Sequence, residues 1–145
     1  MDRLFLLTQI AGTEVAICSN IVESVVSIGE VSPVPRCDPV IAGLFALRSR
    51  VLTLIDCQYR VTGVQAPIGK GALAAIASIG GHSFGLLVEK VYDVVTVSED
   101  AMCPAVKLGE GWTDIVSSLL AIDGRLVMVI DPDRLVATGG MRAAA

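Results

Sequence analysis

Valine and isoleucine recur in short runs, and Gly, Pro, Asn, Asp and Ser separate them. The runs 3–10, 13–18, 21–28, 41–47, 51–55, 73–79, 83–88, 91–97, 119–122 and 126–130 each read as a strand. β-branched side chains suit a pleated, half-buried surface, and turn residues at roughly 8–12-residue spacing predict an all-β barrel or sandwich. Two segments favour helix: a turn or two at residues 39–43, and a C-terminal piece opening at Pro132 with Asp131 as its N-cap. Ala143–Ala145 reads as a frayed tail.

The strand pattern repeats. Residues 41–56 lie on residues 116–131 without a gap, with Ala46/Ala121, Arg50/Arg125, Ile55/Ile130 and Asp56/Asp131 identical. Upstream, Ile21-Val-Glu23-Ser-Val25 matches Val91-Tyr-Asp93-Val-Val95. The chain therefore reads as one domain, 1–145, with pseudo-repeat halves at about 11–65 and 72–137, joined by a stretch carrying Gly63, Pro67 and Gly69. Halves that small are marginal alone, so they are expected to pack on each other. The hairpin Asp123-Gly124 suits a type I′ turn, with both residues at positive φ. Its counterpart Arg48-Ser49 is expected to hold Ser49 at positive φ under strain, because the gapless alignment leaves no residue to relax the turn.

Composition narrows the function. Hydrophobic residues make up 53% of the 145 and charged residues 18%, so the chain is no disordered segment. Either the core is unusually apolar or apolar surface is reserved for partners. A net charge of −4 and 4% aromatic residues argue against nucleic acid as a partner. Residues 71–88 carry no Asp, Glu, Lys or Arg over 18 positions, the lower edge for a spanning helix. Gly80-Gly81-His82-Ser83 interrupts them as a turn between two strands, so no membrane insertion is expected. Cys18, Cys37, Cys57 and Cys103 are widely spaced, which suggests neither a zinc site nor a redox pair but buried reduced thiols in a cytoplasmic protein.

Catalytic patterns are missing. His82, the single histidine, falls in a turn, and there is no nucleophile elbow, zinc-protease motif or phosphate loop. Gly109-Glu110-Gly111 reads as loop flexibility, and Asp131-Pro132-Asp133 as a strand end and helix cap rather than a metal pair. No cofactor or metal is expected. Glu23 and Arg48 interrupt apolar segments. They form either an exposed pair of little energetic consequence, or a hairpin-tip arginine presented to a partner with Glu23 orienting it. Trp112 is a second candidate anchor, with half-buried packing as the alternative.

The succession Gly12 … Val15-Ala-Ile17, Ile21-Val-Glu23-Ser-Val25, Val34-Pro35 and the run from Ile41 through Arg48-Ser49-Arg50 to Asp56 resembles the CheW family of bacterial chemotaxis adaptors. So do Phe84-Gly85-Leu-Leu-Val88, Val91-Tyr-Asp93-Val, and the run from Leu119 through Gly124 to Asp131. The resemblance implies two SH3-like five-stranded β-barrels packed around a shared core. It implies a non-enzymatic scaffold that binds chemoreceptor cytoplasmic tips between the barrels and the regulatory domain of the histidine kinase CheA through barrel edges. The family's interaction arginine matches Arg48 and its companion glutamate Glu23, while apolar groove positions match Ile21 and Val91. The motif's Asn is Ala46 here, its Gly is Ser49, and Cys57-Gln58 follows Asp56. A CheW-like regulatory module of a sensory kinase outside chemotaxis is the alternative. A small-ligand barrel or enzyme would require a deep pocket with convergent polar groups.

Overall fold

The structure is a computed structural model and describes residues 2–109 and 111–136; the alanines 143–145 lie outside them. Among the described residues, eleven strands form two sheets: β1 (Asp2–Ile10), β2 (Thr13–Cys18), β3 (Val22–Ser27), β4 (Ile41–Leu47), β5 (Arg50–Asp56), β6 (Leu73–Ile79), β7 (His82–Val88), β8 (Lys90–Ser98), β9 (Met102–Pro104), β10 (Val116–Ile122) and β11 (Arg125–Ile130). Two short helices follow the second hairpin of each repeat, α1 (Cys57–Thr62) and α2 (Pro132–Val136). The sheet orders are β3-β6-β7-β5-β4 and β8-β1-β2-β11-β10-β9.

These orders superpose when β6-β7 is matched to β1-β2, β3 to β8 and β5-β4 to β11-β10. Each sheet thus takes its central hairpin from the other repeat. β5 pairs with β7 in parallel, as β11 does with β2, while the remaining ladders are antiparallel. Even the irregularities repeat: a bulge at Ile41/Gly43 between β4 and β5 matches one at Val116/Ser118 between β10 and β11.

The period-two alternation of the central hairpins feeds three apolar cores. On β1, Phe5 and Leu7 enter one barrel with Ala16, Val97, Leu120, Val127 and Val129. On β6, Ala74 and Ile76 enter the other barrel with Ile28, Phe45, Leu52, Leu54 and Leu87. The opposite faces of the same strands, including Leu6, Ile10, Val15, Ile17, Ala75, Ala77, Leu86 and Val88, meet in a core shared between the barrels. A strand buried on both faces must be apolar at successive positions, which accounts for much of the hydrophobic excess. The result is the two SH3-like β subdomains around a common core that the resemblance implies, each with a packed apolar interior. In one of them Gly85 leaves room for the Phe45 ring, whose Cε1 lies 2.6 Å from where a Cβ would stand.

Four local expectations do not hold. Residues 39–43 are not helical. Asp38 closes a tight turn there, its carbonyl accepting from Ile41 N at 2.9 Å and its Oδ1 from Val40 N at 3.0 Å, and the β-branched run then enters β4. Helix α1 lies where the pattern indicated only a strand end: Asp56 Oδ1 accepts from Tyr59 N at 2.9 Å, and Gly63 ends the helix at φ 76°. The corresponding Asp131 caps α2, accepting from Asp133 N at 3.0 Å, as the sequence indicates. The break in the 71–88 run is a two-residue turn, Gly80-Gly81, so His82 opens β7 rather than sitting in the turn.

The fourth departure is at the β4–β5 hairpin. Asp123-Gly124 has φ values of 46° and 78°, both positive as a type I′ turn requires. In the β4–β5 turn the positive φ, 58°, falls on Arg48, and Ser49 is not among the positive-φ residues. That sign pattern belongs to a type II′ turn, in which only the first central residue crosses over. The turn relaxes by changing type, so the strained position is Arg48. Arg48→Gly is expected to raise stability by about 0.5 kcal/mol, the left-handed strain relieved less the backbone entropy that glycine adds to the unfolded chain. Ser49→Gly should give no gain. Denaturant midpoints of the two variants check this; a stabilising Ser49→Gly would overturn it.

Candidate functional site

The four residues singled out by the sequence fall into two groups. Ile21 ends a 3-10 turn, Ser19–Ile21, just ahead of β3; Val91 is the second residue of β8, opposite Thr8 of β1. β3 and β8 are each an outer strand beside the first strand of the central hairpin, so the two residues occupy matching places in the two repeats. Both are partly buried and pack on the shared core. They mark the seam between the barrels.

Glu23 and Arg48 stand on the rim of the β3–β7 sheet and are not partners. Glu23 sits at the bulge where the β3–β6 register shifts between Val22 and Ser24, and it is exposed. Its Oε2 lies 3.8 Å from Arg50 Nη2 and accepts from Ser83 Oγ at 3.5 Å. Glu23 therefore orients Arg50, the first residue of β5, and not Arg48. Arg48 is exposed at the hairpin tip, and among the described residues it forms no ion pair. With long, half-exposed contacts, the Glu23–Arg50 pair contributes little to stability.

Residues without an assigned role in the sequence flank the hairpin turn of each sheet. Val51 is 69% exposed beside Arg50, and its counterpart Leu126 is 64% exposed beside Arg125. Arg125 is held more firmly: its Nε and Nη2 donate to Glu14 Oε1 and Oε2 at 2.9 and 3.2 Å, and these contacts raise the guanidinium's pKa. The identity Arg50/Arg125 in the repeat was the signal for this pair of positions. Its meaning depends on the strand each arginine reaches, which the local sequence does not carry.

Trp112 takes the packing role. It is partly buried on the shared core, and its carbonyl accepts from Ile115 N and Val116 N, both at 3.0 Å. The four cysteines are free, but only Cys57 is buried; Cys18, Cys37 and Cys103 are partly exposed, against the expectation of uniform burial. Burial, and secondarily the adjacent Asp56 carboxylate, push the Cys57 thiol far up from its usual pKa, leaving it unreactive. Among the described residues, no helix is long and apolar enough to cross a membrane.

A family model for the CheW-like domain matches residues 4–139. The chemotaxis protein CheW of Rhizobium meliloti (strain 1021) is 25% identical over 114 residues, covering 78% of this chain and 74% of that protein. The chemotaxis protein CheW of Thermotoga maritima is 22% identical over 115 residues, 79% of this chain and 75% of that one. The crystal structure of the scaffolding protein TtCheW from Thermoanaerobacter tengcongensis superposes with a TM-score of 0.85 at 21% identity, covering 97% of this chain and 96% of that one.

Proposed function

The chain belongs to the CheW-like domain family, and on that premise we propose that it is a non-enzymatic, cytoplasmic chemotaxis adaptor coupling receptor tips to the regulatory domain of the kinase CheA. The observation that carries this reading is the extent of the family match, residues 4–139, on a fold whose two barrels and shared seam are filled with apolar side chains. Partner contact on such a body belongs to its seam and its rims. Ile21 and Val91 are the apolar seam contact, and Arg48 and Glu23 belong to the rim. That two relatives are themselves chemotaxis proteins favours this reading over a module of another sensory kinase system.

The test is a binding titration of the purified chain against the receptor cytoplasmic tip and the kinase regulatory domain of the same organism. Dissociation constants of tens of micromolar or tighter (about −6 kcal/mol or better) are expected, and binding to neither overturns the reading. Val91→Asp should weaken receptor binding by roughly tenfold or more, because a carboxylate at an apolar contact is buried unpaired, while the kinase titration is retained. Equal losses in both titrations would mean that Val91 acts through the fold rather than through the contact.

A further inference from the structure

Val91, the apolar seam residue of β8, stands beside an irregularity. Leu6 of β1 pairs with Val94 and Thr8 with Val91, so β8 carries one residue more than β1 over this stretch. A bulge interrupts the ladder and re-aims the side chains at its ends. β8 is also an outer strand of its sheet, with β1 as its neighbour, and such a strand start opens easily. Side chains hold it on either side of Val91. Before it, the Thr8 hydroxyl donates to the Lys90 carbonyl. After it, the Tyr92 hydroxyl donates to Gln9 Oε1 at 2.7 Å, and Gln9 Nε2 donates in turn to Glu89 Oε1 at 3.0 Å. The same Glu89 oxygen accepts from Gly12 N at 2.7 Å, which ties the chain of bonds to the β1–β2 turn.

The duplication supplies a comparison within the molecule. Counted back from the two-residue turn of each central hairpin, Ile10 corresponds to Ile79, Gln9 to Ser78 and Thr8 to Ala77. β3, the strand matched to β8, has its own register shift between Val22 and Ser24. There Ala77 has no hydroxyl to donate, and Val22 stands where β8 carries Tyr92. The same architecture thus keeps a bulged outer strand without these polar ties. Thr8, by contrast, is the polar residue among the buried positions of β1. A hydroxyl buried at a place where the other repeat has alanine is a cost that folding alone does not ask for.

We propose that Thr8 and the Glu89–Gln9–Tyr92 chain are positioning residues for the receptor contact: they fix the first residues of β8 across the bulge, so that Val91 meets the receptor tip in one set geometry. This rests on the adaptor reading and gives its seam site residues beyond the apolar contact itself. A contact held in its bound geometry beforehand binds more tightly, because less order is imposed when the partner arrives.

The probe is the receptor cytoplasmic tip, with the kinase regulatory domain as control. Thr8→Val keeps the volume and loses the hydroxyl; it should weaken receptor binding by roughly fivefold and leave kinase binding unchanged. Thr8→Ser keeps the hydroxyl and loses a methyl, and should bind the receptor tip within roughly twofold of the native chain. A packing role for Thr8 would give the reverse order. Tyr92→Phe and Gln9→Leu should each weaken receptor binding by roughly threefold, and the double variant no more than Gln9→Leu alone, because both changes break the same bond. Additive losses would mean that Tyr92 touches the receptor itself, and would take it out of the positioning chain. In the free protein, Thr8→Val should speed amide exchange at residues 90–93 and leave the β6–β7 hairpin as it was. Exchange that rises in both places, or equal losses of receptor and kinase binding, would reduce these residues to a role in folding. If the native chain binds the receptor tip and Thr8→Val binds it equally well, the positioning role is wrong while the adaptor reading stands. Failure of the native chain to bind the receptor tip overturns the receptor contact on which the positioning role rests.

Discussion

Gly111→Ala is expected to cost about 3 kcal/mol of stability. Gly111 has φ 90°, and a Cβ built there would stand 1.9 Å from the carbonyl oxygen of Val61 and 2.8 Å from its carbonyl carbon. The obstacle is backbone at the end of α1, not a side chain that can swing away. The β9–β10 connection would have to lift off the helix, taking Leu108 and Trp112 from the shared core against which they pack. Left-handed strain at alanine adds about 1 kcal/mol, and re-exposing part of two large apolar side chains about 2 kcal/mol. Gly109 provides the control within the same loop. A Cβ there meets nothing within 4 Å, and Gly109→Ala is expected to stay within about 0.5 kcal/mol of the native protein. Urea unfolding of the two variants decides the matter; equal midpoints would mean that the loop gives way without loss.

Asp56→Ala should be comparably damaging. The residue is 2% exposed and uses both carboxylate oxygens: Oδ1 accepts from Tyr59 N at 2.9 Å and Oδ2 from Ala66 N at 2.8 Å. One bond caps α1; the other ties down the connection that leads to β6. Alanine removes the cap, at about 1 kcal/mol, and leaves the Ala66 N–H without its acceptor, at about 2 kcal/mol. Asp56→Asn keeps one acceptor oxygen and should lose about half as much, because its amide nitrogen would face a second donor. Asp131→Ala, at the matching but partly exposed cap of α2, should cost about 1 kcal/mol. Equal losses at Asp56 and Asp131 would show that the tie to Ala66 contributes nothing.

These positions show where the sequence was legible. Nearly every strand could be read from its β-branched runs, since burial against a sheet imposes the alternation locally. Three-residue β9 could not: it pairs only with β10, and Met102-Cys103-Pro104 is too short to display a period. Helix α1 is six residues long, and its start depends on a carboxylate that resembles the end of a strand until the fold buries it. Gly109 and Gly111 are indistinguishable as letters, because what separates them is a carbonyl from a helix some fifty residues away in the chain. At the rim, the repeat alignment found Arg50 but did not place it beside Glu23 and Ser83. That contact requires β3, β7 and β5 to be brought together across sixty residues of sequence separation. The turn type at Arg48 was misread because a two-residue loop fixes the count of residues and not the sign of each φ.

The exchange of central hairpins also orders events during synthesis. The β1–β2 hairpin leaves the ribosome before the strands that flank it, apolar on both faces, and its outer edges are completed only by β8, which pairs Ser98 with Asp2, and by β11, which pairs Met128 with Val15. At bacterial translation rates the hairpin waits roughly 5–20 s for those strands. During that interval it is an open-edged apolar ribbon, the form most prone to pair with another chain. Closing such distant contacts also makes the folding itself slow. A newly made copy is therefore most open to pairing with another chain until its second repeat has been translated.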